Sequence, residues 1–158
     1  MVTIGTVAPH FDCRAVIRGG LRRLRWRHLQ ANKTLVLLFD ARSGAQWPPA
    51  ELRTLNRATR RLRLLGARVA VVSQAPLSEV LACPLLLDPD GYLAWLYDLA
   101  LGDGRVLWGQ ILIDAAGVIR QTAVSCFPIP VNVEELSDAV TAVAQSDHWL
   151  RSPTDRSE

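Results

Sequence analysis

Residues 34–39 read TLVLLF, residues 48–66 read PPAELRTLNRATRRLRLLG, and residues 67–73 read ARVAVVS. The two apolar runs have the length and composition of strands that are buried on both faces of a sheet. Between them, two prolines favour a helix start, the leucines recur near one helical face, and Gly66 ends the helix. Strand, helix and strand in this order predict a parallel pair joined by a helical crossover, which is typical of an α/β fold.

The segments on either side of this unit predict more strands and helices. Residues 10–17 and 21–26 flank the turn Arg18-Gly19-Gly20 and predict an N-terminal β-hairpin. Further strands are predicted over 84–87, 106–113 and 118–124, the last two joined by a DAAG turn, and further helices over 78–81, 92–99 and 132–144. We therefore expect one domain over 1–146, with a central mixed sheet flanked by helices, and a polar, disordered tail over 147–158.

Composition excludes several classes of protein. The chain has 158 residues, of which 49% are hydrophobic, so it can build a core of its own. No apolar run approaches the roughly 20 residues of a membrane helix, and the N-terminus lacks a signal-peptide pattern, so we expect no transmembrane segment and a cytoplasmic location. The cysteines Cys13, Cys83 and Cys126 have no CxxC or metal-like spacing, which predicts buried, reduced thiols.

Metal and cofactor sites are not predicted either. The histidines His10, His28 and His148 are scattered without the spacing of a metal site or a catalytic triad, and we expect them at the surface. The pair Gly19-Gly20 belongs to the hairpin turn, so the chain has no glycine-rich phosphate loop. We expect no metal and no cofactor.

Charge is divided unevenly along the chain. Residues 1–68 carry fourteen Arg or Lys and three Asp or Glu, whereas residues 69–158 carry four and twelve. The arginines cluster on the hairpin and on the helix after residue 48. We select as candidate binding residues Arg22, Arg23, Arg25, Arg53, Arg57, Arg60, Arg61 and Trp47.

Three interpretations of this basic surface stay open. It is a solvated face, a docking surface for an acidic protein or an anionic membrane, or a phosphate-binding surface for nucleic acid. Nucleic acid is the least favoured, because the chain contains no recognised nucleic-acid module. The acidic second half of the chain could also guide self-association or docking in a larger complex.

Three pieces of sequence stand in a specific order. Residues 4–11 read IGTVAPHF, residues 49–52 read PAEL after the first apolar strand and a loop, and residues 111–120 read ILIDAAGVIR. Over residues 3–145 this arrangement resembles the peroxiredoxins of the alkyl hydroperoxide reductase/thiol-specific antioxidant family. The resemblance implies a thioredoxin-like fold, and a homodimer is common in that family.

The match fails at the family's active-site loop. There, a proline, a threonine and the peroxidatic cysteine stand at fixed spacing, with the cysteine in the first turn of the helix. The resemblance puts Ala41, Ala45 and Pro48 at these three positions and retains the family's arginine as Arg120. Proline offers no nucleophile and no backbone N–H, and peroxide reduction requires a thiolate. Arg120 is either a leftover anion contact of the old pocket or a surface arginine paired with a nearby carboxylate.

Two functions from different classes follow. The first is a catalytically inactive, peroxiredoxin-like binding or assembly subunit that docks an acidic partner through its arginines. The second is an atypical thiol oxidoreductase that uses a displaced cysteine, for which Cys126 is the candidate because this segment runs near the active-site rim in the family. A packed loop cysteine is the alternative for Cys126.

Overall fold

A seven-stranded mixed sheet forms the centre of the computed structural model, which describes residues 2–42, 47–77 and 79–155, with side chains as far as residue 146. The strands are β1 (Asp12–Ile17), β2 (Gly20–Arg25), β3 (Thr34–Asp40), β4 (Ala67–Ser73), β5 (Leu85–Leu87), β6 (Trp108–Ile113) and β7 (Ile119–Ser125). The helices are α1 (Trp26–Gln30), α2 (Pro49–Leu64), α3 (Tyr92–Leu96) and α4 (Val133–Asp155).

The sheet has the strand order β2-β1-β5-β4-β3-β6-β7. The central strand β3 pairs parallel to β4 and antiparallel to β6, so the predicted strand–helix–strand unit and the predicted mixed sheet are both confirmed. Strands β1 and β2 form the predicted N-terminal hairpin, and β6 and β7 form the second one.

Both faces of the sheet are covered. Along β3, alternate side chains enter two separate cores, with Leu35 and Leu37 on one face and Val36 and Leu38 on the other. The first face packs under α1 and α3, and the second packs under α2 and α4. Alternation of buried residues on both faces explains why this strand is apolar throughout.

The hairpin turn between β1 and β2 has two central residues with positive φ. Arg18 has φ 52° and Gly19 has φ 79°, and Ile17 pairs with Gly20 across the turn. Two consecutive positive φ angles are typical of a type I′ turn, whose twist matches that of the flanking strands. Glycine adopts this conformation without strain, whereas Arg18, which precedes it, is a non-glycine residue with positive φ.

Three predictions about secondary structure were wrong. Trp26, expected to end a strand, begins α1, because Trp26 and Leu29 at helical spacing both bury against the first core. Residues 79–81 are not helical, and Ser78 lies outside the described residues. The last helix runs to Asp155 instead of ending near residue 144, since no glycine or proline stands between Val133 and Ser152 to stop it.

The expected tail over 147–158 is consequently helical as far as residue 155. The division into a domain over 1–146 and a separate tail stays a prediction. Among the helices of the described ranges, none combines the length and the apolar character that crossing a bilayer requires.

Candidate functional site

The carboxyl end of β3 and the start of α2 meet at one edge of the sheet. β3 ends at Asp40, and Trp108 begins β6 directly beside it, because Phe39 pairs with Gly109. A cavity of about 240 Å³ opens here, and Arg42, Trp47 and Trp108 are among the residues that line it. The remaining lining residues are Ala50, Glu51, Thr54, Pro128, Ile129, Pro130 and Val131. We call this cavity the α2 pocket.

The guanidinium of Arg42 lies between two indole rings. Its central carbon is 4.6 Å from the Trp47 ring centroid and 5.1 Å from the Trp108 ring centroid, within the range of cation–π attraction. Arg42 Nε lies 3.5 Å from Asp40 Oδ1, and its Nη2 contacts Glu51 Oε2. Two rings and two carboxylates therefore hold this cation in one place.

Asp40 is the buried partner of this arrangement. The indole N–H of Trp47 donates to Asp40 Oδ2 at 2.7 Å, and the backbone N–H of Arg42 donates to Asp40 Oδ1 at 3.1 Å. Burial raises the pKa of Asp40 above its usual range, and the hydrogen bonds from Arg42 and Trp47 oppose that rise only in part. The carboxylate is an acceptor that is fully engaged inside the protein.

The start of α2 carries no side-chain cap. Pro48 stands at the N-cap and Pro49 at the first helical turn, and the Pro48 carbonyl accepts the Leu52 N–H at 3.1 Å. A proline at either position is compatible with a helix start, because N–H groups there have no intrahelical partner. None of the described residues that line the α2 pocket is a cysteine or a histidine, so the pocket contains no thiol.

Comparison with known proteins identifies the relatives of this chain. No protein-family model matches it. Peroxiredoxin-2 of Mus musculus is 28% identical, covering 91% of this chain and 80% of the relative, and peroxiredoxin-2 of Pongo abelii is 26% identical, covering 95% and 93%. AhpC of Enterococcus faecalis superimposes with a TM-score of 0.80 at 21% identity, covering 94% of this chain and 96% of that one.

The chain is peroxiredoxin-like: it is similar in sequence to peroxiredoxin-2 and has the fold of AhpC. AhpC of Mycobacterium tuberculosis has the same fold, with a TM-score of 0.79 at 16% identity, covering 91% of this chain and 99% of that one. The resemblance stated from sequence and the thioredoxin-like fold that it implied are both confirmed.

Arg120 lies away from the α2 pocket of this peroxiredoxin-like chain. It stands beside Leu112 and Ile113 of β6, four to five residues from Trp108, which at ~3.3 Å per residue is about 13–17 Å. Its Nη1 donates to Asp114 Oδ2 at 3.0 Å and its Nη2 to Ser146 Oγ at 2.8 Å. Of the two interpretations left open for Arg120, these contacts favour pairing with a nearby carboxylate over an anion contact at the α2 pocket.

Of the other three residues that the resemblance implied at the active-site loop, the structure describes two. Ala41 separates Asp40 from Arg42 and is half-buried, and Pro48 is the N-cap of α2. Ala45 lies outside the described residues. Sequence reasoning missed Arg42 and Trp108, although the position of Arg42 just past the carboxyl end of a buried strand is where ligand sites of α/β folds form.

Trp47, one of the candidate binding residues, is buried. Only 6% of it is exposed, because its ring packs in the second core and its N–H is bonded to Asp40. Burial of the apolar ring with its one polar atom satisfied is the usual state of a core tryptophan. Trp47 therefore supports the α2 pocket from within.

The three thiols have different environments. Cys83 is buried and Cys13 is half-buried, and burial raises the pKa of each to about 11. Cys126 is exposed, so the expectation of a packed thiol was wrong for this residue. It follows Ser125, which pairs with Trp108 at the end of β7, and it precedes the pocket-lining Pro128 by two residues, so it lies at the pocket end of the sheet.

The candidate arginines form two separate surfaces. Arg22, Arg23 and Arg25 are exposed on β2, the edge strand, and β1, β5 and β4 separate them from β3 in the sheet. The α2 arginines are exposed as well, and three of them line one shallow groove along the helix, at positions Arg53, Arg57 and Arg60. Arg61 is also exposed but is not among the residues that line this groove.

The histidines contribute no site. His10 is exposed and stacks on Trp26 at 5.2 Å between ring centroids, and His28 is exposed, whereas the side chain of His148 lies outside the described part of the chain. Within that described part, no group of three His, Cys, Asp or Glu residues could hold a metal ion. The absence of a metal and of a cofactor stays a prediction.

Proposed function

We propose that this peroxiredoxin-like chain does not reduce peroxide at the start of α2 and acts as a binding or assembly subunit for an acidic protein. The observation that carries the proposal is the α2 pocket, in which the Arg42 guanidinium lies between Trp47 and Trp108. Residues 14–82, which contain the whole first strand–helix–strand unit, include no cysteine.

The chemistry of peroxide reduction supports this proposal. A thiolate must attack one oxygen of the O–O bond and take it as sulfenic acid, and the second oxygen leaves as water once protonated. Neither an indole nor a guanidinium supplies the thiolate that this attack requires. The carboxylates of Asp40 and Glu51 both pair with Arg42, and neither supplies a sulfur atom.

The binding role rests on the groove along α2. Arg53, Arg57 and Arg60 span seven residues, which is about 10 Å along the helix axis. No carboxylate of the described residues pairs with them, so their charge is available to a partner. Arginine binds carboxylates through two parallel N–H groups, and its enrichment at protein interfaces favours an acidic protein over a solvated face.

Peroxide turnover tests the first half of the proposal. Purified protein is mixed with hydrogen peroxide and dithiothreitol, and peroxide loss is followed against a blank without protein. We expect the same rate in both. Turnover that persists in a Cys126→Ser variant would overturn the proposal, because it would require a thiol activated elsewhere.

Binding of poly-L-glutamate tests the second half. The triple variant R53E/R57E/R60E should lose most of the affinity of the wild type, whereas R22E/R23E/R25E, which makes an equal charge change on β2, should retain it. Equal losses of affinity in the two triple variants would mean that general charge attraction, and not the groove along α2, binds the polymer, and this would overturn the proposed docking surface. Tighter binding to duplex DNA or to anionic vesicles than to poly-L-glutamate would replace the acidic protein by nucleic acid or a membrane surface.

A second candidate function is favoured by the exposure of Cys126 at the pocket end of the sheet. In this alternative the displaced thiol reacts with peroxide or with a disulfide, which makes the chain an atypical thiol oxidoreductase. Its test is peroxide-dependent sulfenic acid at Cys126, detected by mass spectrometry after trapping with dimedone. A wild-type protein that stays unmodified removes this alternative.

The assembly state and the compartment stay predictions. A homodimer is implied by the family resemblance, and a cytoplasmic location was expected from the sequence. Sedimentation velocity of the wild type measures the first directly, and the charge-reversed variants show whether either arginine surface takes part.

A further inference from the structure

A second concave surface lies at the other end of α2. It has a volume of about 420 Å³ and lies between the last turn of α2, the β1–β2 turn and the segment before β5. Leu29, Leu81 and Pro84 are among its apolar lining residues. We call this surface the Arg63 groove, and it shares no lining residue with the α2 pocket or with the Arg53–Arg60 surface.

Four cations from four different segments line this groove. They are Arg18 in the β1–β2 turn, Lys33 before β3, Arg63 at the end of α2 and Arg68 on β4. All four residues are exposed, and no Asp or Glu is among the lining residues. Among the described residues, no carboxylate pairs with any of the four, so their charges face the groove uncompensated.

One of these cations is held in position by the backbone. The Nη1 of Arg68 donates to the His28 carbonyl at 2.8 Å and lies 3.4 Å from the Leu29 carbonyl, which anchors one side of the guanidinium. Arg18, whose φ is 52°, is exposed at the β1–β2 turn on the opposite side of the groove from α2. Preorganised donors lose less entropy when they bind an anion.

The helix end works against this charge only weakly. The carboxyl end of α2 carries about half a negative charge, whereas the four side chains carry one positive charge each. Two of the terminal carbonyls already accept backbone N–H groups, from Leu65 to Leu62 and from Gly66 to Arg63. The net field in the groove therefore favours an anion.

We propose that the Arg63 groove binds an organic phosphate ester of nucleotide size, with the phosphates on the cations and the organic group on the apolar wall. Arg and Lys are the side chains that recognise phosphate, and a volume near 420 Å³ falls in the usual range of small-molecule sites, roughly 300–1,000 Å³. This inference goes beyond the binding of an acidic protein, because it involves other residues and another class of ligand.

Isothermal titration calorimetry at low salt tests the proposal with three probes: ATP, inorganic pyrophosphate and adenosine. We expect ATP to bind, pyrophosphate to bind more weakly because it lacks the organic group, and adenosine not to bind. The double variant R18E/R63E should bind ATP about tenfold more weakly or worse than the wild type, since it removes two charged donors. The matched control R53E/R57E, which makes the same charge change on the outer face of α2, should bind ATP as the wild type does.

A second measurement does not depend on the variants. In two-dimensional NMR of the wild type, ATP should shift the amide signals of Lys33, Gly66 and Arg68, and it should leave those around Trp47 unchanged. Absence of ATP binding, equal weakening in both variants, or equal affinity for pyrophosphate and ATP would each overturn the proposal. Loss of poly-L-glutamate binding in R53E/R57E/R60E, with ATP binding intact, separates this site from the proposed protein-docking surface.

Discussion

Removal of the indole N–H of Trp47 should destabilise the protein in a pH-dependent way. In the Trp47→Phe variant, most of the apolar ring is kept, but Asp40 Oδ2 loses the donor that lies 2.7 Å away. A buried hydrogen bond to a charged group contributes about 1.5–3 kcal/mol to stability, and phenylalanine also attracts the Arg42 cation less strongly than tryptophan. We expect a loss of about 2–3 kcal/mol, which lowers Tm by roughly 4–12 °C in a chain of this size.

The sign of the pH dependence follows from the raised pKa of Asp40. A carboxyl group whose pKa is raised by folding costs stability as the pH rises through its folded pKa, because the buried form must then ionise. The Trp47 N–H lowers that cost, and its loss raises the pKa of Asp40 further. The difference in the free energy of unfolding between wild type and variant should therefore be largest above the folded pKa of Asp40. This difference should narrow as the pH falls and Asp40 is protonated.

Urea unfolding at several pH values, followed by circular dichroism, measures this gap. Trp108→Phe is the matched control, since Trp108 stacks on the same guanidinium at 5.1 Å but is not hydrogen-bonded to Asp40. The control should lose less stability than Trp47→Phe, and its difference from the wild type in the free energy of unfolding should not narrow at low pH. A Trp47→Phe variant no less stable than Trp108→Phe, or a gap independent of pH, would refute the assigned role of the Trp47–Asp40 bond.

Two further predictions concern thiol reactivity and packing. With a thiol reagent at pH 8, the exposed Cys126 should react first. Cys13 and Cys83, whose pKa values are raised to about 11, should react slowly until the protein unfolds. Peptide mapping identifies the order of labelling, and rapid labelling of Cys83 in native protein would contradict this prediction. Gly109→Ala should lower the free energy of unfolding by about 1–3 kcal/mol, because the new Cβ would lie 2.6 Å from a methyl carbon of the buried Leu99. Thermal unfolding checks this prediction, and an unchanged Tm would show that the leucine can move aside freely.

The fold was predictable from sequence because the decisive elements are strongly patterned. The apolar strand over residues 34–39 and the amphipathic helix after Pro48 each have one plausible role, and both are where they were predicted. The boundaries of α1 and α4 were not predictable in the same way. Trp26 fits a strand by local preference, and tertiary burial of its ring decides for a helix instead.

The site was only partly predictable. The absence of a thiol could be read directly from residues 14–82, but the Arg42 arrangement depends on Trp108, which is 66 residues away in sequence and becomes a neighbour only through the pairing of β3 with β6. The two interpretations of Arg120 stayed open at the sequence level for a related reason. A residue in a family-like motif can lie at either end of a strand, and only the strand register shows that Arg120 lies beside Leu112.

The most direct test of the account is the rate at which the fully reduced protein reacts with a stoichiometric amount of hydrogen peroxide, followed by intact mass in stopped reactions. Because no sulfur is activated at the start of α2, we expect oxygen addition no faster than that of cysteine in an unstructured peptide at the same pH. A fast addition of a single oxygen, lost on Cys13→Ser, Cys83→Ser or Cys126→Ser, would identify a working peroxidatic thiol and contradict the account.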